Sequence, residues 1–253
     1  MYGQTDPSNN GVERPVLNRR AVFFRAIYAV GARTSMRAFL PADSCRLLLT
    51  ETQMIESNSR GAASRDPLSL HLTAMARNNA WSNLRLYRAC LSLTDEAFAA
   101  RRVSFFPSLQ LTLNHILLVD RYYYDALVGG GQGLTIFDDE LPYPRAPQLW
   151  DAQARSDSDL LAFCESLTGS DLNREVEIDR GPSVGVQRES IGKVLPHLFV
   201  HQIHHRGQVH AMLSGSDAAP PQLDEFFLDG DAPLRASEML ELERVRESHN
   251  RPL

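Results

Sequence analysis

The sequence predicts an all-α protein whose main domain is a four-helix bundle. Four long stretches carry apolar residues at steps of three and four, which is the period of an α-helix. Glycines and prolines lie between these stretches, and the connections differ in length. Since each helix must cover its apolar face with another element, four such helices joined by uneven connections favour a bundle.

The first two predicted helices each carry polar residues on the face that should point inward. The first covers residues 69–92, and Asn79 and Asn83 lie on its apolar stripe, so we expect both amides to meet polar partners inside the protein. The second begins near Pro107, which suits a first helical turn, and ends at three consecutive glycines. Its inner stripe contains His115 and Tyr122.

The second half of the chain completes the predicted bundle. A third helix is expected over residues 148–167, and a fourth over residues 190–214 with Ser190 as its N-cap. Between them, alternating apolar residues at 176–178 indicate a short strand that is followed by a Gly-Pro turn. Residues 235–248 predict a further short, polar helix.

Composition and charge limit the classes of function. A chain of 253 residues with 43% apolar residues can form one good-sized domain with extensions. The net charge of −5 argues against a nucleic-acid partner, and no apolar run approaches the ~20 residues of a membrane span. The three cysteines are odd in number and far apart, which fits a reducing cytosol. We therefore expect a cytoplasmic protein with neither a nucleic-acid nor a membrane partner.

The N-terminal part reads differently from the rest. Residues 14–41 contain six arginines and no acid, so we expect residues 1–66 to be an extension of the bundle. It is either a disordered arm, an organelle presequence or translated upstream sequence with the true start at Met54. The bundle is then assigned to residues 67–230, and residues 231–253 form a C-terminal tail.

One segment is rich in histidine. Residues 197–210, HLFVHQIHHRGQVH, contain five of the eight histidines of the chain. His201 and His205 are four residues apart, so they share one face of a helix, and apolar residues at 198, 209 and 212 make that face point to the core. Such an HxxxH pair on a buried face can present two imidazoles to one metal ion.

A third ligand would have to come from another helix. His115 is the histidine that lies on an apolar stripe elsewhere in the predicted bundle. Each of three buried imidazoles would otherwise need its own hydrogen-bond partner, because an unpaired buried polar group costs a few kcal/mol. Other pairs remain open, since His197 and His201 are also four apart and His204 is three from His201; a satisfied core histidine is the simpler interpretation of each residue alone.

Four segments resemble the DinB family of damage-inducible, metal-binding four-helix bundles, which is distinct from the DNA polymerase of the same name. The fourth helix carries the most specific match, HLFVHQIHHRGQVHAML. The other segments are, in chain order, ARNNAWSNLRLYRAC, LTLNHILLVDRYYYDAL and PPQLDEFF. Together they cover residues 68–230. One departure is visible at Asn78, where family members commonly have tyrosine, so substrate preference is expected to differ here.

The resemblance implies an up-down-down-up bundle with metal ligands at His115, His201 and His205. The implied cofactor is one divalent ion, with zinc or nickel ahead of manganese or iron. It also implies a homodimer and, from some relatives, a low-molecular-weight thiol as co-substrate. The three ligands agree with those that helical spacing suggests, whereas the helix order, the metal, the dimer and the thiol come from the resemblance alone.

The working hypothesis is a metal-dependent enzyme that acts on a small molecule by thiol S-transfer or by hydrolysis. The alternative is a stress-induced protein that binds metal without catalysis. Asn79, Asn83, Tyr122 and Arg206 are the candidates for contacts to the ligand histidines or to the pocket. No glutamate stands in the histidine pair as in the HExxH motif, which argues against a peptidase.

Overall fold

In the computed structural model of the chain, residues 66–249 are described. Predictions for residues 1–65 and for the last four residues of the tail therefore lie outside the described part. The described part is mostly helical, as predicted. Its helices are α1 (Pro67–Leu91), α2 (Asp95–Ala99), α3 (Leu109–Val128), α4 (Ala146–Ser166), α5 (Ile191–Leu213) and α6 (Ala232–His249), and its strands are β1 (Glu175–Asp179) and β2 (Val186–Ser190).

The four long helices α1, α3, α4 and α5 surround the core. They contact one another in a closed cycle, in which α1 packs on α4 and α5 while α3 packs on the same two helices. Buried leucines and isoleucines fill the space between them, among them Leu86, Leu113, Ile116, Leu149 and Leu213. The up-down-down-up order of the helices stays a prediction. Within residues 66–249, no helix combines the length and apolar character needed to cross a bilayer.

Helix α3 ends at the predicted glycines, but it begins later than predicted for a local reason. Ser108 is its N-cap and accepts a hydrogen bond from the backbone N–H of Leu111 at 3.1 Å, so Pro107 precedes the helix instead of opening it. At the other end Gly129 adopts φ 71°, a left-handed conformation that favours glycine and terminates the helix.

A hairpin joins α4 to α5. The predicted strand is β1, in which Val176 and Ile178 point inward while their neighbours are exposed. Its antiparallel partner β2 was not predicted, because most of its side chains are exposed and it has no alternating apolar pattern. Gly181 and Gly185, at φ 81° and 79°, close the turn between the two strands.

Helix α6 packs on the bundle. The sequence predicted a short polar helix in the tail, and α6 instead runs for 18 residues against α1 and α4. Glu238 accepts a hydrogen bond from Trp81 Nε1 at 2.7 Å and from Arg85 Nε at 3.0 Å. Arg246 pairs with Glu165 of α4. The polar face of α6 is therefore matched by charged residues on the bundle.

Candidate metal centre

The structure brings His115, His201 and His205 together between α3 and α5. Nε2 of His115 lies 3.1 Å from Nε2 of His201. The ring centroid of His205 lies 4.6 Å from that of His115 and 4.4 Å from that of His201. One ligand nitrogen from each residue lies within 4.8 Å of the others. The spacing of one helical turn on α5 and the position of His115 on the facing helix produce this convergence.

The donor set fits a divalent metal ion. Metal–imidazole bonds of ~2.0–2.1 Å with bond angles near 90–110° place two ligand nitrogens about 2.9–3.4 Å apart. The 3.1 Å between His115 and His201 falls in this range. A hydrogen bond between His115 and His201 would also account for that distance. It would not account for the third imidazole, that of His205, whose ligand nitrogen lies within 4.8 Å of the other two.

Gln208 fixes the ring of His205. Its Oε1 lies 2.8 Å from Nδ1 of His205 and can only accept a hydrogen bond, so Nδ1 carries the proton and Nε2 keeps its lone pair. The amide nitrogen of Gln208 lies 3.2 Å from Nε2 of His204, which holds the amide in this orientation. His201 differs, because its Nδ1 has no hydrogen-bond partner among the described residues.

The three imidazoles are neutral at pH 7. Burial lowers the pKa of His115 and His201 well below the usual value, and the neighbouring histidines lower it further. Burial also lowers the pKa of His205, to about 4, although the hydrogen bond to Gln208 acts in the opposite direction. Neutral rings have the lone pairs that metal binding requires.

Phe106 forms one wall of the centre. Its ring stacks on His115 with centroids 4.2 Å apart and lies 5.7 Å from the ring of His205. Thr112 Oγ1 donates to the backbone oxygen of Phe106 at 3.3 Å and helps to hold the loop. Sequence reasoning missed Phe106, since it lies in a connection without helical periodicity.

Asn79, Asn83 and Arg206 lie deep in the bundle, bonded to one another and to a carboxylate. Asn79 Nδ2 donates to Asp157 at 3.1 Å, and Asn83 Nδ2 donates to the same carboxylate at 3.0 Å. Arg206 donates to Oδ1 of Asn79 and lies 3.4 Å from Oδ1 of Asn83. Asn79 and Asn83 thus have the polar partners that the sequence predicted. Their hydrogen bonds connect Arg206 to Asp157 and do not reach a ligand histidine.

Three further residues complete this buried polar network. Gln153 Nε2 bridges Asp120 and Asp157 at 2.8 and 3.0 Å, and Gln202 donates to Asp120. The network thus joins α1, α3, α4 and α5. Asp157 had a signal in the sequence, because it stands at helical spacing with the apolar residues at 160, 161 and 164.

Burial raises the pKa of both carboxyl groups in this network. The pKa of Asp157 rises to about 6, although the hydrogen bonds from Asn83 and Gln153 oppose the rise. The pKa of Asp120 is raised well above its usual value by burial first and by the charge of Asp157 second. Burial thus favours the neutral form of both groups, and at Asp120 the charge of Asp157 adds to this effect.

Tyr122 and Arg121 point to other parts of the molecule. The hydroxyl of Tyr122 donates to the backbone oxygen of Asp179 and ties α3 to the hairpin. Arg121 donates to the hydroxyl of Tyr143 at 3.2 Å. Tyr122 follows His115 by seven residues, about 10 Å along α3.

Comparison with known proteins identifies the family. The model of the DinB family matches residues 68–235, which is well over half of the chain. The chain belongs to the DinB family. All three histidines lie within the matched region, and the resemblance found in the sequence is confirmed.

The chain is similar to two known proteins. The chain is 25% identical over 149 residues to "Protein DinB" of Bacillus subtilis (strain 168), a match that covers 56% of this chain and 85% of that protein. A solved DinB-like protein from Bacillus cereus ATCC 10987 is 17% identical, with a TM-score of 0.46, and the match covers 58% of this chain and 94% of that one.

Proposed function

We propose that this DinB-family protein binds one divalent metal ion through His115, His201 and His205 and uses it to transform a small molecule. The observation that carries the proposal is the convergence of three neutral imidazoles from two helices, within 4.8 Å of one another; His115 and His205 are buried and His201 is half-buried. Zinc and nickel suit three imidazole donors best, with manganese and iron behind them.

The residues of the centre have separable tasks. A divalent ion in this position supplies a Lewis acid that lowers the proton affinity of a water or thiol bound to it. The imidazoles carry no charge, so they leave the charge of the ion available to that ligand. Gln208 holds His205 in one tautomer, and Phe106 keeps solvent from one side of the rings.

We favour S-transfer from a low-molecular-weight thiol and place hydrolysis second. The support is the family resemblance together with a donor set of three neutral ligands, which suits an open catalytic site. Peptide hydrolysis is disfavoured, because Gln202 occupies the place of the glutamate in HExxH and its amide points to Asp120 in the core.

The proposal includes an up-down-down-up bundle that works as a homodimer in the cytosol. The closed cycle of contacts among the four long helices supports the bundle, and the family resemblance supports the order of its helices. Cys90 and Cys164 are free and buried, as expected for a reducing compartment.

A second candidate function is metal binding without catalysis. The observation in its favour is the enclosure of His115, which is 2% exposed and stacked against Phe106. Such a centre would hold the ion tightly and leave little room for a substrate.

Metal content tests the proposal directly. We expect one ion per full-length chain, lost in His115→Ala, His201→Ala and His205→Ala and kept in the control His71→Ala, whose histidine is exposed on α1. Absence of metal after reconstitution with zinc, nickel, manganese and iron would overturn the proposal. In the cobalt-loaded protein, an added thiol should produce a sulfur-to-cobalt charge-transfer band; no spectral change with thiols would favour the non-catalytic candidate.

A further inference from the structure

A cavity of about 230 Å³ lies between α3, the hairpin and the first two turns of α5. Its polar lining consists of Arg180, Lys193, His197, Tyr123 and one acid, Glu189. Ligand pockets usually measure ~300–1,000 Å³, so this cavity has the size of a subsite for one part of a small molecule.

The lining is positively charged. Arg180 is 9% exposed, and its guanidinium carbon lies 5.6 Å from the centre of the Tyr123 ring. Lys193 adds a second cation, and the carboxylate of Glu189 lies 3.5 Å from its ammonium group. Both members of that pair are well exposed, so the ion pair is weak and the carboxylate offsets only part of the charge.

The start of α5 adds to the positive potential. Lys193 stands in the first turn of this 23-residue helix, and the side chain of the N-cap Ser190 makes no capping hydrogen bond. A helix N-terminus carries a partial positive charge and exposes backbone N–H groups, which favours anions. The charged side chains and the helix therefore act in the same sense.

The local backbone holds Arg180 in place. Its N–H donates to the backbone oxygen of Gly185 at 3.0 Å, and the N–H of Gly185 donates to Gly181 at 2.7 Å. Both glycines adopt left-handed φ values of 81° and 79°, which a residue with a side chain rarely adopts. The turn thus fixes the backbone from which the Arg180 side chain extends, and the planar fork of a guanidinium suits a carboxylate.

The cavity adjoins the metal centre. His197 precedes His201 by four residues, about 6 Å along α5. Its ring lies 5.4 Å from that of Tyr123. Burial, followed by the charge of Arg180, lowers the pKa of His197, so its neutral ring can donate a hydrogen bond at pH 7.

We propose that the cavity formed by Arg180, Lys193 and His197 binds the carboxylate of a small organic acid. This inference rests on the proposed function, because the carboxylate would belong to the substrate or co-substrate that reacts at the three histidines. Binding in the cavity itself requires no metal.

The lysine content of the chain supplies the assay. Lys193 is the single lysine, so reductive methylation with formaldehyde modifies only this side chain and the α-amino group. Succinate is the probe and the neutral succinamide is its control. Mass spectrometry follows both amines, with the α-amino group as the internal reference. We expect succinate to slow the modification of Lys193 at least fivefold and succinamide to have no effect.

Variants of two arginines test whether succinate protects Lys193 by binding in this cavity. Arg180→Gln should weaken succinate binding at least tenfold, whereas Arg188→Gln should leave it unchanged, because Arg188 is exposed and pairs with Glu177 on the hairpin surface. Equal protection by succinate and succinamide in the wild type would overturn the inference, as would full protection in a folded Arg180→Gln. Stronger protection by inorganic phosphate would overturn the assignment to carboxylates.

The assay also separates this inference from the proposed function. It is run on metal-free and metal-loaded protein. Protection in a chain that binds no metal would retain the anion subsite and overturn the metal-dependent function. Metal binding without protection of Lys193 would retain the metal-dependent function and overturn the anion subsite.

Discussion

Gln208 accepts a hydrogen bond from Nδ1 of His205 at 2.8 Å. This single contact selects the tautomer whose Nε2 faces the other two histidines. Its loss would free the ring to rotate and to place its proton on the nitrogen that should bind the ion. The affinity of the centre for metal should therefore depend on a residue that never touches the ion.

Gln208→Leu should lower metal affinity about 10–100-fold, which is the usual cost of losing such a partner. Gln208→Glu keeps an acceptor at the same place and should restore most of the affinity. Competition with a chromogenic chelator measures both variants. Equal affinities in wild type and Gln208→Leu would mean that the packing of His205 alone sets its orientation.

The metal-free protein should lose stability as the pH falls from about 6.5 towards 4. The pKa of His205 is lowered to about 4 in the folded state, so the unfolded chain takes up its proton first, near pH 6.5. The contribution of His205 to the free energy of unfolding is therefore fully present above pH 6.5. Below that pH it is lost at up to about 1.4 kcal/mol per pH unit.

Asp157 acts in the opposite direction over part of this range. Its pKa is raised to about 6, so its contribution is present below about pH 4 and is lost as the pH rises through 6. The histidine effect is therefore measured as the difference between wild type and His205→Gln in urea unfolding at pH 5, 6 and 7.5. A difference that does not change with pH would show that His205 titrates normally.

The two buried aspartates should respond unequally to neutralisation. Burial and the charge of Asp157 both favour the neutral form of Asp120, so Asp120→Asn should change the free energy of unfolding by less than about 1 kcal/mol at pH 7. The new amide can donate to Oε1 of Gln153 or Gln202, neither of which has a hydrogen-bond partner among the described residues. Asp157→Asn removes the counter-charge of buried Arg206 and should cost about 3–5 kcal/mol. Equal costs for the two variants would contradict this expectation.

Glu238 should hold α6 against the bundle. It accepts the indole N–H of Trp81, which is fully buried, and it pairs with Arg85. Glu238→Ala leaves the indole donor unpaired and should cost about 1–3 kcal/mol in thermal or urea unfolding. Glu241→Ala is the matched control, because Glu241 pairs with Arg88 at the surface and should contribute less than about 0.5 kcal/mol. A similar loss in both variants would mean that α6 is held by its apolar contacts.

The sequence predicted those features that depend on local periodicity. The position of His201 and His205 on one buried face and the inward location of Asn79 and Asn83 follow from helical spacing within a single segment. The all-helical class follows in the same way, since each amphipathic stretch reports its own period.

Features that depend on contacts between distant segments could not be predicted in this way. Phe106 reaches His115 from a loop, and Gln208 is one of several polar residues in a histidine-rich helix. β2 owes its structure to pairing with β1, and α6 owes its position to Glu238 and Arg246. None of these residues differs in local pattern from an ordinary surface residue.

Helix α5 carries two constellations whose members alternate along the chain. His201 and His205 face the metal centre, while Gln202 and Arg206, each one residue later, face the buried polar network. A residue inserted or deleted between these pairs would rotate everything beyond it by about 100°. The metal centre and the buried polar network would then be disrupted by the same change. We therefore expect insertions and deletions in this segment to be tolerated far less often than substitutions during evolution.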